Sequence, residues 1–544
     1  MSSRRLHQLA AALILCLAVT LRLDGLGFGL PALLDPDEPI FLLTALKLLR
    51  DHTLNPGWFG HPGTTTIYAL AVVEAATYGA WHALGRFATQ ADFARAVYHD
   101  PSIVVLPARI FILACGLVTI ALTARIAGRL FGPRVALLAA LLLAVDPVHI
   151  RYSQIIRTDM HSTIFVLLEI LAAIAIVRKG RLRDYLLAAL WVGFACATKW
   201  PAAAAGAAVA GAAIVRWYQH RGESRTILRN LALYALAAVA ALFIASPYLF
   251  LDYATVIDNL HGEARPFHLG ASGHGFLGNL GWYFGGPLAT AMGWAGLVLA
   301  AFGVWQAARR SPAFLGVLVP VFLVFLVMIS AQALIWERWV VPLLPLVTIA
   351  AAYGIACLAD RARDGVRNPA LLALIAAATV PTLATAHVQA AERTVETRQL
   401  ATAWARAHVP PGDTVTIEHL AFDVVDQPWH FLFPVGDKGC VDVRANLNGM
   451  QYSTVGKWRG QRPVVDIGTV AASQLGSCRA DWAILSNWDR YRAEPEHFQA
   501  EIDNYDRYVR GGHGIIVATF NPKPGKVGGR TVRIVKFPRR ALQP

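Results

Sequence analysis

The chain has 544 residues, of which 56% are hydrophobic and only 15% charged, and its mean hydropathy is +0.46. These values are typical of a polytopic α-helical membrane protein and exclude an ordinary soluble domain. The formal net charge of +14 suits membrane orientation and contact with anionic head groups, so we expect membrane lipids as partners and no nucleic acid.

The first apolar run, Leu9 to Leu21, follows Arg4 and Arg5 and has no small-residue cleavage site after it. This pattern predicts an uncleaved membrane helix whose N-terminus is cytoplasmic. Three carboxylates then follow within four residues, at Asp35, Asp37 and Glu38. Charges at a membrane edge indicate a functional site, and the alternative is a solvated turn at the start of a helix.

Pro39 to Arg50 has the spacing of a helix that lies on the membrane surface. The next run, Thr64 to Leu84, is long enough to span the bilayer. If it does not cross, five later basic loops all fall on the cytoplasmic side, as the positive-inside rule requires. We therefore predict one long first outer loop, residues 25–104.

With that choice the sequence predicts about eleven transmembrane helices, an outer C-terminus and two domains, a membrane module over 1–388 and an outer domain over 389–544. Some of these spans are near or below the usual minimum of ~17 residues. The predicted spans are Gln8–Leu23, Val105–Ala124, Val135–Ile150, Met160–Val177, Tyr185–Lys199, Ala202–Val215, Leu231–Leu251, Pro287–Gln306, Ala313–Ser330, Val340–Ala359 and Ala370–His387.

One outer loop, residues 252–286, is rich in glycine and histidine, and its polar side chains form a candidate acceptor or substrate loop. Their spacing matches no tight metal template, so the sequence leaves the metal undetermined, a divalent cation open and no other cofactor indicated. The candidate residues are His261, Glu263, Arg265 and His268.

From Glu392 onward short strand-like runs alternate with amphipathic stretches, which predicts an extracytoplasmic α/β domain. The helical stretches are Val395–His408 and Pro495–Arg507, and the strand-like runs are Thr414–Ile417, Gly439–Val443, Pro463–Ile467, Trp482–Ser486, Gly514–Phe520 and Thr531–Val535.

Cys440 and Cys478 are the two cysteines in this polar part of the chain. An oxidising outer side favours a disulfide between them, and the alternative is two unrelated buried thiols.

Acid residues beside cations at the outer membrane edge suit glycosyl transfer from a lipid-linked sugar. A carboxylate takes the proton of the acceptor, and cations stabilise the leaving lipid phosphate. The rival function is a transporter or flippase without chemistry, although the ionisable residues concentrate on one side and the chain has no internal repeat. The candidate acid residues are Asp37, Glu38 and Asp159, and the candidate basic residues are His61, Arg109, Arg157, Lys199 and Arg338.

Over about residues 1 to 390 the chain resembles membrane-integral GT-C glycosyltransferases of the protein O-mannosyltransferase and lipid A aminoarabinose transferase type (glycosyltransferase family 39-like). The motifs that carry the resemblance are Asp37-Glu38, His61-Pro62-Gly63-Thr64-Thr65-Thr66-Ile67-Tyr68, Leu106-Pro107-Ala108-Arg109, Arg151-Tyr152-Ser153 with Arg157-Thr158-Asp159-Met160, Thr198-Lys199-Trp200-Pro201, and Arg338-Trp339-Val340-Val341-Pro342-Leu343-Leu344-Pro345.

The resemblance implies the GT-C fold and an inverting glycosyltransferase with a polyprenyl-phosphate sugar donor and a glycan, lipid or protein acceptor. It implies that Asp37 is the general base, that Asp159 is the acidic residue of the second outer loop, and that His61, Lys199 and Arg338 lie near the lipid phosphate. It also implies a bacterial inner-membrane location with a periplasmic C-terminal domain that positions acceptors. The identities of the sugar and the acceptor stay open.

Overall fold

The computed structural model describes residues 3–418, 423–424, 426–442, 458, 462 and 464–538. The chain divides into two compact units. The first comprises Met1–Leu26, Asp37–Arg265 and Gly273–His387, and the second comprises Gly27–Pro36, Pro266–Ser272 and Val388–Pro544. Two short segments from within the membrane module therefore belong to the C-terminal unit, which the sequence did not predict.

The first unit is helical, and its last helix continues into the second unit. Its helices are Ser3–Leu23, Glu38–Asp51, Thr64–Ala83, Gln90–His99, Ser102–Phe131, Pro133–Ala144, Pro147–Tyr152, Thr158–Lys179, Leu182–Thr198, Ala207–Gln219, Ser224–Ala245, Tyr248–Leu251, Tyr253–Glu263, Gly275–Tyr283, Ala289–Arg310, Val319–Ser330, Leu344–Ala359 and Arg367–Thr394.

Within the described residues, seven helical segments are long and apolar enough to cross a membrane, and Thr64–Ala83 is not one of them. The seven are Arg5–Leu23, Ser102–Phe131, Thr158–Lys179, Arg221–Ala245, Gly275–Arg310, Glu337–Ala359 and Asp364–Thr394. The other four predicted spans fall on shorter helices, so the figure of eleven crossings stays a prediction.

The structure shows why two of these helices are shorter than predicted. The helix Pro133–Ala144 ends before Asp146, whose side chain accepts the N–H groups of Val148 and His149 and starts a new short helix. Pro201 lies in a 3₁₀ turn, Trp200–Gly206, that delays the start of the next α-helix to Ala207.

The second unit contains a six-stranded sheet in the order β3-β2-β1-β4-β6-β5. Strand β1 pairs in parallel with β2 and β4, and the other pairings are antiparallel. The strands are β1 Thr414–Ile417, β2 His430–Pro434, β3 Cys440–Asp442, β4 Trp482–Leu485, β5 Ile515–Phe520 and β6 Val532–Lys536.

Helices cover both faces of this sheet, as alternation along β4 shows. Ala483 and Leu485 pack with the core under the helix Pro495–Gly511, whereas Trp482 and Ile484 pack with the core under the helix Thr397–His408. Because successive strand residues point to opposite faces, a sheet buried on both sides needs apolar residues throughout.

Two strand assignments from the sequence were wrong. Strand β2 was missed, and the described part of the run Pro463–Ile467 is a turn, in which the Asp466 side chain accepts the backbone N–H of Thr469 at 3.1 Å. Val443 and Pro463, the end of one predicted strand and the start of another, lie outside the described residues.

Candidate active site

The acidic stretch lies at a helix start. Asp37 is the N-cap residue of the helix Glu38–Asp51, and one of its carboxylate oxygens accepts a hydrogen bond from Arg157. The same oxygen lies 4.0 Å from Nη2 of Arg338. Arg157 precedes the helix Thr158–Lys179 in an extended conformation. Three stretches far apart in sequence therefore meet at one carboxylate.

A second ion pair joins two further predicted residues. The ammonium group of Lys199 donates to a carboxylate oxygen of Asp159, and both side chains are buried. Asp159 lies in the first turn of its helix, and Lys199 follows the helix Leu182–Thr198. Since a buried charge is costly without a partner, this pair holds both charges in place.

His61 joins the same group because Pro62 forms an isolated antiparallel bridge with Lys199. The His61 ring stacks on Trp58 with centroids 5.4 Å apart. Burial, followed by the positive charges of Arg338 and Lys199, lowers the pKa of His61 to about 3. His61 is therefore neutral near pH 7 in this structure, and it can exchange hydrogen bonds with a ligand without adding a charge.

The group as a whole carries more positive than negative charge. Its carboxylates are Asp37 and Asp159, and its permanent cations are Arg157, Lys199 and Arg338. An excess of one cation suits an anionic ligand. A cavity of about 10 Å³, room for roughly one water, adjoins Lys199 and is lined by Ser162, Pro201, Ala202, Phe325, Ile329, Trp339 and Pro342.

Glu38 and Arg109 are turned toward each other instead. The guanidinium group donates two hydrogen bonds to the Glu38 carboxylate, at 2.8 and 2.7 Å, and both side chains are 0% exposed. Glu38 also accepts the backbone N–H of Ile156 at 3.1 Å, and Arg109 donates to the carbonyl of Leu26 at 2.7 Å. These contacts connect the helix Glu38–Asp51 with the helix Ser102–Phe131 and with the backbone at Leu26 and Ile156.

The residues of the candidate acceptor loop are divided between the two units. His261 and Glu263 lie on the helix Tyr253–Glu263, and Arg265 ends that segment of the first unit, whereas His268 belongs to the second unit. Across the part of the chain that the structure describes, no group of three or more His, Cys, Asp or Glu side chains could hold a metal ion.

Sequence reasoning missed Glu337, which accepts hydrogen bonds from Arg151 and from the Tyr152 hydroxyl, both at 3.0 Å. It also missed Trp336, whose ring lies 4.2 Å from the Arg338 guanidinium carbon. The available signal was their position directly before Arg338 in a predicted outer loop.

In the second unit, Cys440 and Cys478 form a disulfide with a Cα–Cα distance of 4.8 Å. Cys440 opens β3, and Cys478 ends the 3₁₀ turn Ala472–Cys478.

Known proteins resemble this chain in part of the sequence and in the whole fold. Residues 102–250 match the family model described as dolichyl-phosphate-mannose-protein mannosyltransferase. No curated protein sequence matches the chain.

Among solved structures, ArnT from Cupriavidus metallidurans bound to undecaprenyl phosphate has a TM-score of 0.53 at 14% identity, with 98% of each chain covered. Its apo form has a TM-score of 0.53 at 15% identity, covering 96% of this chain and 97% of that one. The oligosaccharyltransferase AglB from Archaeoglobus fulgidus, in complex with an inhibitory peptide and a dolichol-phosphate, has a TM-score of 0.52 at 11% identity, covering 93% of this chain and 72% of that one.

At these identities the structural likeness shows the fold, and it confirms the predicted GT-C architecture with a C-terminal sheet domain. The chain is a multi-pass membrane protein. The family match covers residues 102–250, and over the rest of the chain the likeness to these glycosyltransferases is one of fold.

Proposed function

We propose that the chain transfers a sugar, with inversion, from a polyprenyl-phosphate-linked donor to a hydroxyl or phosphate of a glycan, lipid or protein acceptor. The supporting observation is the arrangement of Asp37 and Asp159 among three cations in the first unit. One carboxylate can take a proton while the cations stabilise a leaving phosphate, so a single group provides both halves of the reaction.

In this proposal Asp37 is the general base. Its side chain is 26% exposed, so an acceptor can reach it, whereas the Asp159 side chain is 2% exposed and holds Lys199. The acceptor oxygen forms a bond to the anomeric carbon as its proton passes to Asp37. The bond from that carbon to the phosphate oxygen breaks, and its electron pair leaves with the polyprenyl phosphate. This leaving group needs no general acid because it departs as an anion.

Lys199 and Arg338 are proposed to hold the lipid phosphate, with neutral His61 as a hydrogen-bonding neighbour. Arg157 is proposed to orient Asp37, to which it donates a hydrogen bond. Glu38 and Arg109 are proposed as positioning residues, because their side chains are buried against each other. The outer face of a bacterial inner membrane, with the C-terminal unit in the periplasm, is the proposed location.

The test is a reaction of the purified full-length protein, in lipid nanodiscs, with polyprenyl-phosphate sugars and an extract of envelope lipids and glycans. Mass spectrometry should detect free polyprenyl phosphate and a glycosylated acceptor. A flippase would instead move the intact donor between leaflets and form neither product. Donor movement without a covalent product would therefore replace this proposal with the transport function.

A further inference from the structure

Two arginines of the second unit share one neutral hydrogen-bond acceptor. Nη1 of Arg530 donates to Oδ1 of Asn487 at 2.6 Å, and Nη1 of Arg490 donates to the same oxygen at 3.2 Å. Both arginines are partly exposed. Within the described ranges, neither has a carboxylate oxygen within the 4.0 Å of an ion pair. Nearby Arg533, by contrast, pairs with Asp489 through two hydrogen bonds of 2.8 and 2.9 Å.

The Asn487 amide can face the arginines in one orientation only. Its Nδ2 donates to a carboxylate oxygen of Asp466 at 2.8 Å, so its oxygen points to the other side. A guanidinium group has donors and no acceptor, and therefore requires that oxygen. Asn487 thus separates two buried carboxylates, Glu418 and Asp466, from the two arginines, and it fixes the Nη1 end of each guanidinium.

The two carboxylates behind Asn487 carry less than their full negative charge near neutral pH. Glu418 accepts hydrogen bonds from three backbone N–H groups and from the Tyr505 hydroxyl. Burial, followed by the charge of Asp466, raises the pKa of Glu418 to about 7. Burial also raises the pKa of Asp466. Like-charged carboxyls held this way resist ionising together, so a proton remains on the pair near neutral pH.

A third arginine, Arg398, lies nearby. It forms an ion pair with Glu396, in which Nη2 of Arg398 lies 2.5 Å from Oε1 of Glu396. Burial, together with the positive charges of Arg398 and Arg490, lowers the pKa of Arg530 to about 9. Arg530 is still protonated at neutral pH. Glu396 and Glu418 act on Arg530, and Glu494 and Asp466 act on Arg490, from beyond ion-pair distance, so within the described residues neither guanidinium has a direct carboxylate partner.

We propose that Arg490 and Arg530, positioned by Asn487, bind a phosphate-type oxyanion in the second unit. Two guanidinium charges match a phosphate monoester, which is close to doubly negative at neutral pH, and the planar N–H fork of arginine fits its oxygens. Its residues all belong to the second unit, whereas the residues proposed to hold the donor phosphate belong to the first.

The segment Pro266–Ser272 shapes one side of this site. Nη2 of Arg490 donates to the carbonyl of Leu269 at 2.8 Å. Gly270 has a φ of +76°, and a Cβ there would lie 2.5 Å from the same nitrogen. Glycine therefore lets the backbone approach Arg490, which leaves its Nε and the unshared nitrogens of Arg530 for the anion.

The phosphate could be carried by a lipid or be a free ion, and the experiment separates these sources. Full-length protein in phosphatidylcholine nanodiscs is first saturated with polyprenyl phosphate, which fills the proposed donor site. Equilibrium dialysis with radiolabelled orthophosphate should then show one further bound phosphate per chain. Competition by phosphatidic acid in the nanodisc assigns the site to a lipid phosphate, and its failure to compete assigns it to a free ion.

Arg530→Gln and Arg490→Gln should each weaken this phosphate binding by at least about tenfold, because each removes one charged fork. Arg533→Gln is the matched control and should bind as the unchanged protein does, since Asp489 already neutralises that arginine. Thermal melting checks that each variant is folded.

The proposal is overturned if the saturated protein binds no orthophosphate, if Arg490→Gln and Arg530→Gln bind it as tightly as the unchanged protein, or if Arg533→Gln weakens binding equally. Failure of polyprenyl phosphate to bind contradicts the proposed donor instead. In that case the loss of one bound phosphate in Arg530→Gln, measured without saturation, still reports on this site.

Discussion

Asp37 is the carboxylate on which the proposed chemistry depends, and Arg157 and Arg338 both lie near its Oδ2 atom. Replacing Asp37 with asparagine keeps the size of the side chain but removes its ability to accept a proton. We expect turnover to fall by roughly 10²–10⁴. The affinity for polyprenyl phosphate should survive, because a neutral residue does not repel the phosphate. Turnover is followed by release of polyprenyl phosphate, and affinity by equilibrium binding.

Asp24→Asn is the matched control for Asp37→Asn, since Asp24 is exposed and follows the first helix. It should transfer sugar at the unchanged rate. If Asp37→Asn turned over at the normal rate, Asp37 would not be the general base.

Lys199 is a buried cation whose charge is held by Asp159. Lys199→Ala should weaken binding of polyprenyl phosphate itself by about tenfold or more, and should slow transfer, because it removes the proposed charge-assisted contact to the phosphate. Lys47→Ala, on the exposed side of the helix Glu38–Asp51, is the control and should change neither quantity. Slower transfer with unchanged affinity for the lipid would place Lys199 outside the phosphate contact.

At the scale of elements, the Glu38–Arg109 pair joins the helix Glu38–Asp51 to the helix Ser102–Phe131. Removing one partner of a buried ion pair leaves an uncompensated charge, so Glu38→Gln should lower the free energy of unfolding by about 3–5 kcal/mol. The measurement is thermal melting in detergent.

Asp51→Asn provides the comparison for Glu38→Gln, because it breaks the exposed pair with Arg50 and should not shift the melting temperature. If the Glu38→Gln variant were stable but had no transfer activity, Glu38 would instead have a catalytic role.

In the sheet unit, Glu418 makes stability depend on pH. Its pKa rises from the ordinary value of 4.5 to about 7, chiefly because it is buried. Between these values the unfolded chain releases the proton first, so the free energy of unfolding falls as the pH rises. The stabilisation is complete below about pH 4.5 and is lost above about pH 7.

Hydrogen exchange of the β4 amides, compared between the unchanged protein and Glu418→Gln, isolates this contribution. The unchanged protein should lose protection more steeply than the variant between pH 4.5 and 7. Equal slopes would show that Glu418 titrates normally.

At the scale of the whole molecule, the disulfide reports on which side of the membrane the second unit lies. Disulfides persist in oxidising compartments. In denatured protein, a thiol reagent should label four cysteines before reduction, Cys16, Cys115, Cys196 and Cys357, and six after it. Six labelled cysteines without reductant would place this unit in a reducing compartment.

The same bridge should stabilise the second unit. It joins residues 38 apart, so replacing both cysteines with serine should cost roughly 3–4 kcal/mol in the chain-entropy model. Protease resistance of the C-terminal unit provides the measurement, and an unchanged resistance would mean that packing alone holds the sheet together.

Local signals in the sequence were enough for the membrane class, for the helices that carry the predicted spans and for most of the strands. Hydrophobic periodicity and length are properties of neighbouring residues, so they can be read without the fold. The sequence analysis did not predict strand β2, because this strand is a short aromatic run that ends at Pro434 and lacks the alternation typical of a half-buried strand.

The partners of the charged residues were decided only by the tertiary structure. Asp37 and Glu38 are adjacent in sequence, yet one lies with Arg157 and Arg338 while the other is buried against Arg109. In the same way, no pattern in the neighbouring sequence predicts that Asn487 accepts hydrogen bonds from two arginines. Nor does any such pattern predict that Pro266–Ser272 belongs to the second unit. Ion pairs and shared acceptors depend on contacts between residues far apart in the chain, and those contacts exist only once the helices and the sheet have packed.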